Sequence, residues 1–120
     1  MNNRAKTFKD LVVWHKAHAL VLSVYKMTTK LPKEEQFGLT SQIKRAAISI
    51  PANIAEGFTR KSNIEKSRFY NISQGSQEEV RYYLILIEDL NITKTGELMI
   101  QLEEISKILN SYIKSLHSES

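Results

Sequence analysis

The sequence predicts an all-α protein, an antiparallel four-helix bundle with up-down-up-down connectivity, and three observations predict it. The 120 residues include only two prolines and four glycines, too few to punctuate many short strands. Apolar residues return at steps of three and four in four successive stretches, the period of helices buried on one side. Turn or capping signals separate the stretches, leaving connections short enough to make successive helices neighbours. A chain of this length holds one core, so residues 1–120 are expected to form a single domain.

The first helix is predicted over residues 9–31. Leu11, Trp14, His18, Val21 and Tyr25 form one stripe, and Ala17, Val21, Val24, Thr28 and Leu31 an adjacent one. Pro32 pushes Leu31 out of the helical region and ends the segment. The second helix is predicted over 34–56. It opens at Glu34-Glu35, whose charges suit a helix amino terminus, and its stripe is Leu39, Ile43, Ala46, Ile50 and Ile54. Pro51 within it predicts a kink or, failing that, a break at Ile50. Gly57 suits a left-handed closing position.

The third helix, 63–91, starts at Ser62-Asn63-Ile64-Glu65, which reads as a capping box. Phe69, Ile72, Val80, Tyr83, Ile87 and Leu90 continue its apolar face. Gly75 costs about 1 kcal/mol of helix propensity, a cost that close approach of another helix would explain. The fourth helix, 96–117, has Thr95 as its expected cap. Leu98, Leu102, Ile105, Leu109, Tyr112 and Leu116 repeat at steps of 4-3-4-3-4, a heptad seam. The tail Ser118-Glu119-Ser120 is expected to fray.

Composition narrows the function classes. Hydrophobic residues at 42% and charged residues at 25% are globular values. With no cysteine, a disulfide framework and a thiolate metal site are both excluded. The polar start of the chain lacks a signal-type core, and no apolar run approaches the roughly 18–20 residues of a membrane span. The expected location is the cytoplasm. The formal charge of +4 is unevenly spread: residues 1–60 carry ten Lys/Arg against four Asp/Glu, and residues 61–120 carry seven against nine. A basic half fits either a phosphate backbone or an acidic surface of the same or another chain.

No catalytic constellation emerges, and no enzyme activity or cofactor is expected. Di-iron chemistry in a bundle needs Glu-x-x-His pairs, and the chain has none. His15 and His18 lie three apart with only Asp10 as a nearby acid, so His15 is expected on the surface and His18 at the edge of the core. There is no Gly-x-Ser-x-Gly elbow and no glycine-rich phosphate loop.

Two polar features stand out. Gln42, Arg45, Ser49, Asn53 and Glu56 form a stripe on the second helix, and Ser76 and Glu79 interrupt the face of the third. The stripe is either a solvated flank or a hydrogen-bonded network at a helix or subunit contact, with Arg45 pairing to Glu56 or Glu79. The second feature is the basic cluster Arg60, Lys61, Lys66 and Arg68, with Lys44 on the preceding helix. Phe58 and Tyr70 lie close by in sequence. Either they offer rings to unpaired bases, or Phe58 is a core staple and the lysines solubilise the chain.

Several runs together resemble a known family. They are Leu11-Val12-Val13-Trp14-His15-Lys16-Ala17, Phe37-Gly38-Leu39-Thr40-Ser41-Gln42-Ile43-Lys44-Arg45-Ala46, Ser49-Ile50-Pro51-Ala52-Asn53-Ile54-Ala55-Glu56-Gly57-Phe58 and Gly75-Ser76-Gln77-Glu78-Glu79. Across residues 8–116 the sequence resembles the bacterial 23S rRNA intervening-sequence proteins. It departs from that pattern at His15, where glutamine is usual, and at Gln77, where an apolar residue is common. The resemblance implies a four-helix bundle assembled as a homopentamer. It also implies kinship with the basic, nucleic-acid-binding accessory subunit of diversity-generating retroelements. Carried over, the recurrent polar positions are Gln42, Arg45, Asn53, Glu56, Ser76 and Glu79.

Two functions follow as expectations. One is a homo-oligomer that binds RNA or DNA without strong sequence preference through Lys44, Arg60, Lys61, Lys66 and Arg68. The other is a protein-interaction or scaffold oligomer with no nucleic-acid role.

Overall fold

A computed structural model describes residues 5–119; Met1–Arg4 and Ser120 lie outside the described residues. Four helices carry the fold: α1 Val12–Thr28, α2 Leu39–Phe58, α3 Asn63–Asp89 and α4 Gly96–Glu119. No strand occurs among the described residues. Helix α1 packs against α2 and α4, and α3 packs against the same two, so each helix has two neighbours in a body of 47 × 21 × 20 Å. Along the α2–α3 seam, Ser76 meets Ser49, Ser73 meets Ile50 and Tyr70 meets Gly57. Along the α3–α4 seam, Asn63 meets Leu116, Gln74 meets Asn110, Gln77 meets Ser106 and Arg81 meets Glu103. Residue numbers rise along α3 as they fall along both neighbours.

The first helix is shorter than its periodicity suggests. Asp10 accepts from the backbone N–H of Lys6 and Thr7 at 2.8 and 3.1 Å, closing a separate 3-10 turn over Phe8–Asp10. Leu11 then becomes extended and buried, so α1 starts at Val12. Its core stripe is Val13, Ala17, Leu20, Val24 and Met27. His18 is exposed and stacks on Trp14 at 5.1 Å. A second 3-10 turn, Lys33–Glu35, precedes α2, and the Glu35 carboxylate accepts from the Leu39 N–H at 3.1 Å. The acidic pair therefore serves the start of α2 from outside it.

Helix α2 continues through Pro51 to Phe58, with Leu39, Ile43, Ala46, Ile50 and Ile54 all buried. The helix is not broken at Ile50. Gly57 corrects the sequence reading: it lies inside the helix, and no glycine has a positive φ. Its requirement is contact, because a Cβ there would sit 2.6 Å from Cε1 of Tyr70. Gly75 reverses the other expectation, since no atom lies within 4 Å of a Cβ added there. The close approach belongs to Gly57.

Helix α3 begins where expected, with the Ser62 hydroxyl accepting from the Glu65 N–H at 3.1 Å, but the return bond from the Ser62 N–H to the Glu65 carboxylate does not occur, so only half of the expected capping box forms. It ends in a Schellman motif: Ile92 N–H bonds Ile87 C=O at 3.2 Å, Asn91 N–H bonds Glu88 C=O at 2.9 Å, and Asn91 takes φ 60°. Asparagine tolerates that left-handed conformation better than most residues. The buried face of α3 is rotated from the apolar stripe, for it carries Tyr70, Ser73, Gln77, Val80, Leu84 and Ile87, while Ile72 is 47% exposed. Buried polar atoms are tolerated when bonded, and those of Ser73 and Gln77 are, whereas the buried Ser67 Oγ has no partner among the described residues. Ser73 Oγ donates to Ile50 C=O at 3.1 Å, Gln77 Nε2 donates to Ser73 Oγ at 3.3 Å, and Ser106 Oγ donates to Gln77 Oε1 at 2.7 Å. Thr95 precedes α4 as expected, but its hydroxyl turns back toward Leu84 C=O and Glu88, 3.1 Å from each. The α4 seam has Leu102, Ile105 and Leu109 buried, with Leu98, Tyr112 and Leu116 packed on the core. Ser118 and Glu119 continue the helix.

Candidate assembly and nucleic-acid interfaces

An open groove of about 400 Å³ runs between α2 and α3, lined by Gln42, Arg45, Ala46, Ser49, Ser76 and Glu79. Four of the six predicted polar-network residues, Gln42, Arg45, Ser76 and Glu79, thus meet at one place. Its floor is fixed by hydrogen bonds. Ser76 Oγ donates to Ser49 Oγ at 2.7 Å, and Asn53 Nδ2 donates to the same oxygen at 2.9 Å and to Ser49 C=O at 2.8 Å. Asn53 therefore supports the groove from one turn away.

The expected ion pair does not form within the described residues of one chain. Arg45 and Glu79 are exposed, and neither has an ionic or hydrogen-bond partner among the described residues. Glu56 pairs instead with Arg60, its i+4 neighbour. Eleven residues of helix separate Arg45 from Glu56, roughly 16 Å, beyond direct reach. Ile48 and Ala52 follow Arg45 at helical spacing, while Ile72 and Tyr82 bracket Ser76 and Glu79 on α3. Ile48, Ile72 and Tyr82 are all exposed, so apolar side chains flank the two unpaired charges. The signal for that flank was in the sequence, where Ile72 read as core because it matched the apolar period.

The basic cluster is dispersed by the fold. Arg60 is tied to Glu56 and lies over the Phe69 ring at 4.6 Å. Lys66 Nζ donates to Phe58 C=O at 2.7 Å, closing the end of α2, and sits 5.3 Å from the Phe58 ring centroid. Burial pushes its pKa down, since desolvation disfavours the ammonium. Lys44 lies about 20 Å away along α2, stacked over the Tyr25 ring at 4.5 Å. Lys61 and Arg68 are exposed, with no ion-pair partner among the described residues. Tyr70 cannot stack on a base: it is 1% exposed, against Gly57 and the Tyr112 ring. Burial, then the neighbouring Tyr112, pushes its phenol pKa far up. Phe58 is half-buried beneath Lys66 and fits the staple reading.

The α3–α4 seam contains a third polar group. Arg81 binds Glu78 on its own helix and Glu103 on α4, and its Nη2 lies 3.5 Å from Ser106 Oγ. Burial opposes its charge, but the two carboxylates outweigh that and raise its pKa. Neither a cluster of three His, Asp or Glu side chains suited to a metal nor a helix long and apolar enough to cross a membrane occurs among the described residues.

No curated protein matches the chain. A family model described as 23S rRNA-intervening sequence protein matches residues 9–111, most of the chain and all four helices in whole or part. The matched span includes both the α2–α3 groove and the dispersed basic residues, and the chain belongs to the 23S rRNA-intervening sequence protein family.

Proposed function

We propose that the chain is a non-enzymatic, antiparallel up-down-up-down bundle that assembles with copies of itself through the α2–α3 face. The opposite numbering trends along the α2–α3 and α3–α4 seams support the antiparallel arrangement. One observation carries the assembly reading: Arg45 and Glu79, unpaired among the described residues, share a groove flanked by exposed Ile48, Ile72 and Tyr82. Apolar contact supplies association free energy, and the opposite charges select a partner of matching pattern. A homopentamer, the state that the family resemblance implies, closes such contacts into a ring.

Sedimentation velocity of the wild type, Arg45→Ala and Glu79→Ala tests this. The wild type is expected to sediment as an oligomer, and each variant should shift toward smaller species with unchanged helical content. A monomeric wild type, or two variants that assemble normally, overturns the assembly role.

Nucleic-acid binding by the oligomer is a second reading, favoured by exposed, unpaired Lys61 and Arg68 and by a sequence pI near 9.3. Repetition around an oligomer multiplies weak phosphate contacts. Anisotropy of labelled RNA and DNA across a salt series tests it. Affinity should fall steadily with salt, and no binding at low salt removes this reading.

A further inference from the structure

A group of lysines without ion-pair partners among the described residues lies at the end of the molecule where α1 closes and α2 opens, next to Glu34 and Glu35 of the connection. Lys26, Lys30 and Lys33 follow one another at steps of four and three, and all three are exposed. None has an ion-pair partner among the described residues. Lys44 on α2 faces the same region, with its ammonium 4.5 Å from the centroid of the Tyr25 ring. That ring is itself 42% exposed. Phe37, in the connection between the two helices, is 88% exposed.

The bland explanation of the lysines is the carboxyl-terminal end of α1, which favours cations. It accounts for Lys26 and Lys30. It does not account for two exposed aromatic residues close by in sequence, Tyr25, which shares its ring with Lys44, and Phe37. The backbone next to Phe37 is held: Gly38 N–H bonds Glu35 C=O at 3.0 Å, and the Glu35 carboxylate binds Leu39 N–H. An exposed aromatic ring on a held backbone, close in sequence to unpaired lysines, suits a single strand, because phosphates need cations and unstacked bases need π-faces.

We propose that this end of the molecule docks single-stranded nucleic acid, with Lys26, Lys30, Lys33 and Lys44 at phosphates and Tyr25 and Phe37 at bases. The proposal rests on the nucleic-acid reading but moves its surface from the α2–α3 connection to the α1–α2 end. A single strand fits better than a duplex, since a duplex keeps its base faces stacked and out of reach. An anionic membrane fits less well, because Glu34 and Gln36 are exposed beside Phe37 and would enter the headgroup layer with it.

The test is fluorescence anisotropy of a labelled 20-nucleotide oligouridylate, with the wild-type chain, the Lys26→Glu/Lys30→Glu variant, Phe37→Ala and the control Lys61→Glu/Arg68→Glu. Circular dichroism and sedimentation would check that fold and assembly persist. The α1–α2 double reversal is expected to weaken binding about tenfold or more and to flatten the salt dependence. Phe37→Ala should weaken binding severalfold without changing the salt slope, the separate signature of stacking. If the wild type binds but only the control variant loses affinity, the proposed surface is wrong while nucleic-acid binding stands. A wild type that ignores the oligonucleotide at low salt ends both. Binding to phosphatidylserine vesicles without binding to the oligonucleotide assigns the patch to membranes and overturns the proposal.

Discussion

Helix α3 has two polar seams that differ in how much of their chemistry the chain completes itself. Toward α4, Arg81 meets two carboxylates, and Gln77 accepts a hydrogen bond from Ser106 while donating one to Ser73. Toward the α2–α3 groove, Ser49, Asn53 and Ser76 bond to one another, but Arg45 and Glu79 have no partner among the described residues. The first seam is closed and contributes to stability and helix register. The second has an organised floor and an unsatisfied rim, a combination suited to an external partner. Buried polar groups must be bonded internally, whereas rim charges stay hydrated at little cost until a partner covers them.

The tightest part of the α2–α3 seam should be the most sensitive. Gly57→Ala forces a methyl group into the Tyr70 ring, which also packs on the Tyr112 ring. A loss of about 1–3 kcal/mol is expected in urea unfolding, with m unchanged. A neutral variant would mean that the ring can move away. Gly75→Ala, facing open space, should be neutral or stabilising by roughly 0.5–1 kcal/mol.

The closed seam is sharpened by a double-mutant cycle. Gln77→Leu leaves Ser106 without its acceptor and Ser73 without its donor, at a cost of about 1 kcal/mol. Ser106→Ala should cost a similar amount, and the double variant much less than the sum. Strict additivity would show that the two side chains are not coupled.

Arg81→Ala and Arg45→Ala compare the seams directly. The Arg81 side chain is 21% exposed and tied to both helices, so its loss should cost up to about 1 kcal/mol, less at high salt. At a monomeric concentration Arg45→Ala should change stability by less than about 0.5 kcal/mol. Its effect should appear in sedimentation instead. Equal thermal shifts for the two variants would erase the distinction between seams.

The smallest effect concerns the α3–α4 connection. Hydrogen bonds from the Thr95 backbone and hydroxyl hold the Glu88 carboxyl below its usual value of 4.5. A depressed folded pKa contributes stability above the unfolded value and loses it as pH falls through the folded one. Amide exchange at Thr95, normalised to its intrinsic rate at each pH, should therefore accelerate as pH falls below 4.5 in the wild type. In Glu88→Gln it should be faster at neutral pH and lack that dependence.

The helical class was legible because the period of three and four is local, and so were α2's buried stripe and the α4 seam. The face of α3 was not. Its period predicts Ile72 and Leu90 inside, yet Ser73 and Gln77 are buried and both apolar residues are exposed. A serine or glutamine looks like surface until Ile50 C=O and Ser106 are seen to satisfy it. Proximity in sequence also overstated the basic cluster, because Lys66 turns inward to Phe58 and Arg60 to Glu56.

The sequence by itself determined four helices, their approximate limits, the family and the polar residues that gather at the groove. Those depend on periodicity, capping chemistry and an extended motif, all of which can be read along one dimension. Only the tertiary structure decided which charges remain unpaired, which glycine is pressed against a ring and which aromatic rings reach solvent. Each of these depends on what a neighbouring helix brings within a few ångströms, and no local pattern specifies that.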